Sequence, residues 1–200
     1  MLSLVIQAGG ESRRIGSDKA LLHFLGQPLI LRPLNRLARL ADEVLVTSNH
    51  PEQFHFLSLS PIPDLLPGHG ALGGLYTALS TASHPYAAVV ACDMPFASLE
   101  LFTFELLRLR ESGADAVIPR SESGTEPFHS IYRAEACLPH VKAALEAGKH
   151  RVDAWFSEAN IFYLTPEEIL PYDPHGLAFF NINTLDELKE AERIVKENIS

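Results

Sequence analysis

A loop rich in glycine and in basic side chains follows an apolar run near the start of the chain. Glycines allow backbone N–H groups to approach an anion closely, and cationic side chains neutralise the charge that remains. The loop therefore predicts a ligand that carries phosphate, and we expect a helix directly after it. The glycines are Gly9, Gly10 and Gly16, and the basic side chains are Arg13, Arg14 and Lys19.

Two well-known glycine motifs do not fit this loop. A Walker loop has its lysine directly after the second glycine, followed by Ser or Thr. Here Lys19 comes three residues after Gly16 and is followed by Ala20. The dinucleotide fingerprint Gly-x-Gly-x-x-Gly is also absent at this first turn. The loop is therefore either a phosphate site of another design or a solvated turn with scattered charge.

A carboxylate follows the predicted strand 86–91. Asp93 stands in the sequence Cys-Asp-Met-Pro, where the proline restricts the backbone. Mg²⁺ in phosphoryl-transfer sites is held by one or two carboxylates together with phosphates and water. We therefore expect Asp93 to bind Mg²⁺, and capping of the helix near Ser98 is the structural alternative. Cys92 is expected to be a small buried residue rather than a nucleophile.

A second glycine-rich segment lies in the middle of the chain. Gly68, Gly70 and Gly73 match the dinucleotide fingerprint literally, and Asp93 comes twenty residues after Gly73. The preceding residues 61–67 contain three prolines, so they cannot form the central parallel strand that this fingerprint requires. A dinucleotide-dependent oxidoreductase is thus a weak alternative. The bare backbone is better suited to a flat base or a ribose.

Two asparagines near the end of the chain are the last candidate functional residues. Alternation places Asn181 and Asn183 on one face of a predicted short strand, next to the start of the last helix. An asparagine amide oxygen at this place can complete a Mg²⁺ shell. Capping of that helix by the asparagines and Thr184 is an equally good local interpretation.

The elements that must position these residues alternate between strand and helix. Short apolar runs rich in Val, Leu and Ile predict strands, and apolar spacings of three and four predict helices. Such alternation predicts a three-layer α/β/α sandwich around a mostly parallel, Rossmann-like sheet, with its ligand crevice at the carboxyl ends of the strands. The predicted strands are 2–6, 43–47, 87–91 and 115–119, and the predicted helices are 29–40, 71–81 and 99–111.

The pattern changes after residue 120. A polar turn at 120–126, a possible strand at 127–133 and a helix at 134–147 precede a last helix at 185–199, where Thr184 and Glu187 form a capping-box pattern. We interpret the chain as one domain, 1–200. Residues 1–119 would bind the nucleotide, and residues 120–200 would bind the acceptor and complete the metal site.

Composition limits the classes of partner. The chain has 200 residues, is 46% hydrophobic, contains two cysteines and carries a formal net charge of −9. Its first 40 residues carry +4 and the remainder −13. This distribution fits a small anionic ligand and disfavours nucleic acid, which needs an extended basic surface. The sequence shows no apolar run of about 18 residues and no secretory signal, so we expect no membrane partner and a cytoplasmic location.

Four motifs, in order, resemble those of the molybdenum cofactor guanylyltransferases, which have the nucleotide-diphospho-sugar transferase-like fold. Residues 7–22 resemble the signature LAGGxSxRMGxDKxLL, and 70–74 resemble GPLGG. Residues 92–95 look like CDMP, and 181–184 look like NxNT. The resemblance covers nearly the whole chain.

The resemblance implies transfer of GMP from GTP to the phosphate of molybdenum-bound molybdopterin, with Mg²⁺ and release of pyrophosphate. Partner proteins upstream and downstream in molybdenum cofactor synthesis are implied as well. Asp93 would bind Mg²⁺ and nucleotide, with Asn183 as a second metal ligand, and Arg13, Lys19 and Asp93 would be catalytic. Arg151 is a candidate to meet the phosphate of the acceptor, and a surface charge at the start of a helix is the structural alternative that the sequence favours. The expected nucleotide contacts are Gln7, Ala8, Gly9, Gly10, Lys19, Thr47, Asp64, Gly70, Leu72, Gly73 and Asp93.

Three positions depart from the family pattern without removing a charge. Gln7 replaces the usual Leu, Ile15 the usual Met, and Ala71 the usual Pro. Cytidylyl transfer to the same cofactor, or nucleotidyl transfer to another phosphate, is the close alternative. A nucleotide-binding adaptor without catalysis is the alternative from a different class, and the intact Asp93 and Lys19 speak against it.

Overall fold

The computed structural model describes residues 1–9 and 18–198. Strands and helices alternate through the first part of the chain, as the apolar pattern predicts. The strands are β1 (Leu2–Gln7), β2 (His23–Phe24), β3 (Gln27–Pro28), β4 (Glu43–Thr47), β5 (Tyr86–Ala91), β6 (Ala116–Ser121), β7 (Gly124–Thr125), β8 (His129–Arg133) and β9 (Ile161–Leu164). The helices are α1 (Leu31–Leu37), α2 (Gly70–Thr81), α3 (Leu99–Ser112), α4 (Ala134–Glu146), α5 (Pro166–Ile169) and α6 (Leu185–Asn198).

One mostly parallel sheet forms the centre of the fold. Its strand order is β4-β1-β5-β8-β6-β7, and β9 pairs with β6. Strand β1 lies between β4 and β5 and is parallel to both, so the ends of all three strands meet at one edge. Strand β8 runs antiparallel to β5 and β6. The predicted mostly parallel sheet is confirmed, and the reversed β8 is an addition that the sequence pattern did not specify.

Side chains alternate between two apolar cores, one on each face of the sheet. Leu4 and Ile6 pack in the first core with residues of α1 and α3. Val5, between them, packs in the second core with α2 and α4. A third, smaller core joins the β2–β3 hairpin to α6 through Phe24, Ile182 and neighbouring residues. Helices therefore cover both faces of the sheet, which is the predicted three-layer arrangement.

Three local predictions differ from the structure. The phosphate loop leads into a single 3₁₀ turn, Lys19–Leu21, and not into an α-helix. Helix α1 begins two residues later than predicted and continues as a 3₁₀ turn at Ala38–Leu40. Residues 181–183 form no strand. They lie as irregular chain because Ile182 is anchored by its N–H bond to the carbonyl of Asp93 and by its buried side chain.

Candidate active site

A cleft of about 630 Å³ opens at the carboxyl ends of β1, β4 and β5. Open parallel sheets bind their ligands at this edge. Gln7, the last residue of β1, is paired with Thr47 at the end of β4 and with Ala91 at the end of β5. The lining consists of Gln7, Gly9, Lys19, Thr47, Asn49, Asp64, Gly68, Gly70, Ala71, Gly74, Ala91, Cys92, Asp93, Phe128 and Asn181.

Lys19 joins the two predicted metal ligands at one end of this cleft. Its ammonium donates to Oδ2 of Asp93 at 2.8 Å and to Oδ1 of Asn183 at 2.6 Å. The three residues come from three distant parts of the sequence, and both oxygens converge on a single point. Lys19 and Asp93 are mostly shielded from solvent, with side-chain exposures of 17% and 14%.

Backbone bonds explain how Asp93 and Asn183 are held. Asp93 lies in the turn after β5, where the N–H of Cys92 donates to the carbonyl of Gln7 at 3.0 Å. The N–H of Ile182 donates to the carbonyl of Asp93 at 3.0 Å, which fastens the irregular segment 181–183 to this turn. Glu187 accepts the N–H of Asn183 at 2.6 Å. Glu187, which was predicted to form a capping box with Thr184, thus holds the backbone of Asn183 in place.

Neither Asp93 nor Asn183 acts as a helix cap, which removes the structural alternatives for both residues. Ser98 caps α3 by accepting the N–H of Leu101 at 3.1 Å. Thr184 accepts the N–H of Glu187 at 3.2 Å at the start of α6. The amide group of Asn183 donates to the carbonyl of Asn181 at 3.5 Å, which leaves its oxygen directed at Lys19.

Asp64 and Asn49 form the opposite end of the cleft. Ile62 makes one parallel bridge to Thr47 at the edge of the sheet, and this brings Asp64 close to the strand ends. The side chain of Asn49 bonds to Asp64, and burial nevertheless raises the pKa of the Asp64 carboxyl. Asn49 was not predicted, although its position two residues after β4 is a signal that sequence reasoning could have used.

The glycines of 68–74 play two different roles. Gly68, Gly70 and Gly74 line the cleft, as a bare binding surface requires. A Cβ on Gly73 would come within 2.8 Å of the Cβ of His69 and 3.0 Å of the carbonyl of Leu66, so packing alone demands glycine there. Leu72 is fully buried in the second core. Neither Leu72 nor Gly73 is part of the lining.

The remaining predicted residues are placed as follows. Ala8 is buried and its N–H bonds to the carbonyl of Thr47 at 2.8 Å. Arg151 is exposed and forms a two-pronged ion pair with Asp153, while the backbone of the neighbouring His150 lies against Gly70. Gly10 and Arg13 lie outside the described residues, as does Arg14.

Cys92 lines the cleft but is not an activated nucleophile. Burial raises the pKa of its thiol well above the ordinary value, and the neighbouring carboxylates of Asp93 and Asp18 raise it further. The thiolate is the reactive form of cysteine, so this environment suppresses its chemistry. The predicted role as a small buried residue is confirmed.

The donor groups in the cleft fit a divalent cation that is shared with a substrate. Within residues 1–9 and 18–198, no cluster of three or more His, Cys, Asp or Glu side chains could enclose a metal. The carboxylate of Asp93 and the amide oxygen of Asn183 nevertheless meet at one point. One or two protein oxygens with phosphates and water are the usual ligands of Mg²⁺.

The described part of the chain contains no helix with the length and apolar character needed to cross a bilayer.

Comparison with known proteins identifies the family. The model of the MobA-like NTP transferase domain matches residues 4–160. A protein from Pelotomaculum thermopropionicum, named probable molybdenum cofactor guanylyltransferase, is 34% identical over 97% of this chain and 93% of its own length. The molybdenum cofactor guanylyltransferase of Desulfosudis oleivorans is 30% identical over 96% of this chain and 95% of its own.

Solved structures agree with the sequence relatives. The molybdopterin-guanine dinucleotide biosynthesis protein A of Archaeoglobus fulgidus has a TM-score of 0.85 and 27% identity, and the match covers 98% of this chain and 99% of that one. The 2-C-methyl-D-erythritol 4-phosphate cytidylyltransferase of Thermus thermophilus shares the fold, with a TM-score of 0.70 at 20% identity over 97% and 98% of the two chains. The chain therefore belongs to the family of MobA-like NTP transferase domains and is a nucleotidyltransferase.

Proposed function

We propose that this nucleotidyltransferase transfers GMP from GTP to the phosphate of molybdenum-bound molybdopterin and releases pyrophosphate. The observation that carries the proposal is the convergence of Lys19, Asp93 and Asn183 in a cleft with a bare, glycine-lined wall. Relatives that match over nearly their full length are named for this reaction, which supports the choice of substrates.

We propose Mg²⁺ as the cofactor, held by Asp93 and Asn183 together with oxygens of the triphosphate. Bound there, the ion would offset the negative charge of the phosphates during transfer. Lys19 holds both oxygens in the structure, so it would have to give them up to an ion held there. Its ammonium would then be available to donate to phosphate oxygens.

The residues of the chain would act mainly by positioning and by charge. A phosphate monoester is largely dianionic at neutral pH, so the acceptor needs little help from a general base. The difficulty is the approach of one anion to another. Lys19 would reduce this repulsion with its fixed positive charge, and we propose the same for Arg13 in the loop beyond the described residues.

The two parts of the chain would divide the substrates. Residues 1–119 supply β1, β4, β5 and α2, which form most of the cleft, and we propose that they hold GTP. Residues 120–200 supply Phe128, Asn181 and Asn183, and we propose that they receive the molybdopterin and complete the metal site. Arg151 would meet the acceptor phosphate, since its turn lies against the start of α2. Proteins that deliver molybdopterin or take up the product would be further partners in the cytoplasm.

The direct test is to incubate the protein with Mg²⁺, molybdenum-bound molybdopterin and either GTP or CTP, and to measure pyrophosphate. We expect release with GTP and none with CTP. Release with CTP alone would replace the proposal by cytidylyl transfer. Tight GTP binding without any release would support the adaptor alternative.

The melting temperature provides an independent check on the nucleotide. A ligand present at 100 times its Kd stabilises the folded state by about 2.7 kcal/mol. GTP with Mg²⁺ should therefore raise the melting temperature by several degrees, and CTP at the same concentration should not.

A further inference from the structure

Gln7 stands at the floor of the cleft with a hydrogen-bond donor that has no protein partner among the described residues. The side chain is 8% exposed and lines the cleft, and its Nε2 atom is fully shielded from solvent. A buried amide without a partner is costly, whereas an apolar side chain at the end of a central strand is not. The amide of Gln7 therefore needs another explanation than packing.

The neighbouring helix makes room for this amide. A Cβ on Gly74 would lie 3.2 Å from Oε1 and 3.3 Å from Nε2 of Gln7. A side chain at position 74 would therefore require the carboxamide to shift by a few tenths of an ångström, and Gly74 leaves it in place beside α2. The terminal torsion of a glutamine side chain is soft, so the amide can turn toward a ligand in the cleft.

The position of Gln7 separates it from the phosphate end of the cleft. Along β1, Gln7 shares a face with Val5, which packs against α2 in the second core. Ala20, next to Lys19, packs on the opposite face with Leu4 and Ile6. The backbone at Lys19 and the side chain of Gln7 thus lie on opposite sides of the sheet edge, and both residues line the cleft. A neutral amide next to bare glycine backbone suits the uncharged, flat part of a nucleotide.

We propose that Gln7 is a specificity-determining residue that donates Nε2–H to the carbonyl oxygen O6 of guanine. Guanine carries an acceptor at this position, where adenine carries an amine, so the donor favours one purine over the other. Asp64, at the other end of the lining, is an acceptor of the kind that suits the N–H groups of the same base. This inference rests on GTP being the substrate.

The experiment compares Gln7→Met with the unaltered protein, because Met is similar in shape and has no amide. Dissociation constants are measured with Mg²⁺ and without molybdopterin, so that no transfer occurs. The ligands are GTP, inosine triphosphate (which keeps O6) and 2-aminopurine riboside triphosphate (which lacks it). We expect GTP and inosine triphosphate to bind about fivefold more weakly to the variant, since one hydrogen bond is lost. The 2-aminopurine nucleotide should change by less than about twofold.

A control and a second variant make the outcome decisive. Gln53→Met changes an exposed glutamine outside the cleft and should leave all three constants unchanged. Gln7→Glu keeps the shape and replaces the donor with an acceptor. Its added charge affects the three triphosphates alike. The loss of affinity for GTP divided by the loss for the 2-aminopurine nucleotide therefore isolates the contact to O6. We expect this ratio to exceed fivefold, which corresponds to about one hydrogen bond.

Equal losses for all three nucleotides, or no loss for any, would overturn the assignment of Gln7. If the unaltered protein binds GTP and Gln7→Met binds it equally well, only this inference fails. If the unaltered protein does not bind GTP at all, the proposed function itself fails.

Discussion

Two groups of polar and ionisable side chains, each built from separate elements, differ in their access to solvent. Lys19, Asp93 and Asn183 meet at the open cleft, where Lys19 and Asp93 keep 17% and 14% exposure. Glu105 of α3 and His129 of β8 meet inside the first core, where both are 0% exposed and His129 Nδ1 lies 3.0 Å from Glu105 Oε1. Access decides whether such a group can exchange its partners for a ligand.

The buried pair is held as two neutral groups. The N–H of Ser98 donates to Nε2 of His129 at 3.1 Å, so the proton of the ring is on Nδ1 and is donated to Glu105. Burial lowers the pKa of His129 to about 3 and raises the pKa of Glu105. Among the residues that the structure describes, the Oε2 atom of Glu105 has no hydrogen-bond partner, which a neutral acid tolerates better than an anion.

The two groups are connected through one segment of chain. Asp93 lies near the start of the segment between β5 and α3, and Ser98, bonded to His129, ends it. The ring of Phe102 stacks on His129 with centroids 3.9 Å apart. The neutral pair therefore anchors the far end of the turn that presents the carboxylate of Asp93. Lys19 and Asp93 thus form an ion pair in the cleft, whereas Glu105 and His129 are neutral in the core.

The largest effect is expected from Asp93→Asn, which keeps the shape of the side chain and removes its charge. Loss of the carboxylate should reduce the rate of pyrophosphate release by on the order of 10³-fold, since the charged group that would hold Mg²⁺ beside the reacting phosphates disappears. Because the amide oxygen of Asn can still accept the hydrogen bond from Lys19, the melting temperature should change little. Asp186→Asn, on the exposed face of α6, is the matched control. An unchanged rate in Asp93→Asn would contradict the metal assignment.

Lys19→Met tests whether the ammonium of Lys19 occupies the position at which a metal cation would bind. The variant should bind GTP about 10- to 100-fold more weakly, because charge-assisted hydrogen bonds to phosphate are lost. It should also bind Mn²⁺ more tightly when no nucleotide is present, since Asp93 and Asn183 are then released. Titration calorimetry measures both constants, with Lys189→Met as a surface control. If GTP affinity stays the same, Lys19 has no phosphate role.

The buried pair predicts a distinctive dependence of stability on pH. Between about pH 4.5 and 6.5 the native pair and the unfolded pair bind equal numbers of protons, so its contribution is flat. Below 4.5 the unfolded chain binds one more proton because the native His129 stays neutral, and stability falls as the pH falls. Above 6.5 the native Glu105 keeps a proton that the unfolded chain loses, and stability falls as the pH rises. Each slope is about 1.4 kcal/mol per pH unit.

Two variants separate these slopes in urea unfolding. In Glu105→Gln the loss on the alkaline side should disappear, and the loss on the acid side should begin at about pH 6.5. In His129→Asn the acid side should become flat, and the loss should begin above about pH 4.5. Profiles that run parallel to the unaltered protein at every pH would show that the pair does not titrate abnormally.

Sequence patterns predicted the framework of the site better than its details. The order Asp93–Met94–Pro95 after an apolar run was enough to place a carboxylate at the edge of the sheet, because strands in parallel sheets end together. The strand expected at 181–183 was wrong, because the bond from Ile182 to Asp93 and the burial of Ile182 outweigh local alternation. Such long-range contacts leave no periodic signal in the sequence.

The buried pair shows the same limit more strongly. Glu105 lies within an amphipathic helix pattern and His129 within a short strand pattern, and neither pattern reveals that the two side chains face each other. Only the antiparallel insertion of β8 between β5 and β6 brings His129 beneath α3. Asn49 was missed for a related reason, since its role depends on Asp64 arriving from a different segment.

Arg151 provides the third case in this comparison and the smallest expected effect. Its ion pair with Asp153 has side-chain exposures of 84% and 32%, so it differs from both the cleft and the core. Exposed pairs contribute little to stability, and Arg151→Ala should leave the melting temperature unchanged. If the guanidinium meets the acceptor phosphate, the KM for molybdopterin should rise about two- to threefold while the affinity for GTP stays constant, as expected for a solvated charge contact. Lys142→Ala, an exposed cation of α4, serves as the control. A KM that does not change would restrict Arg151 to its surface pair with Asp153.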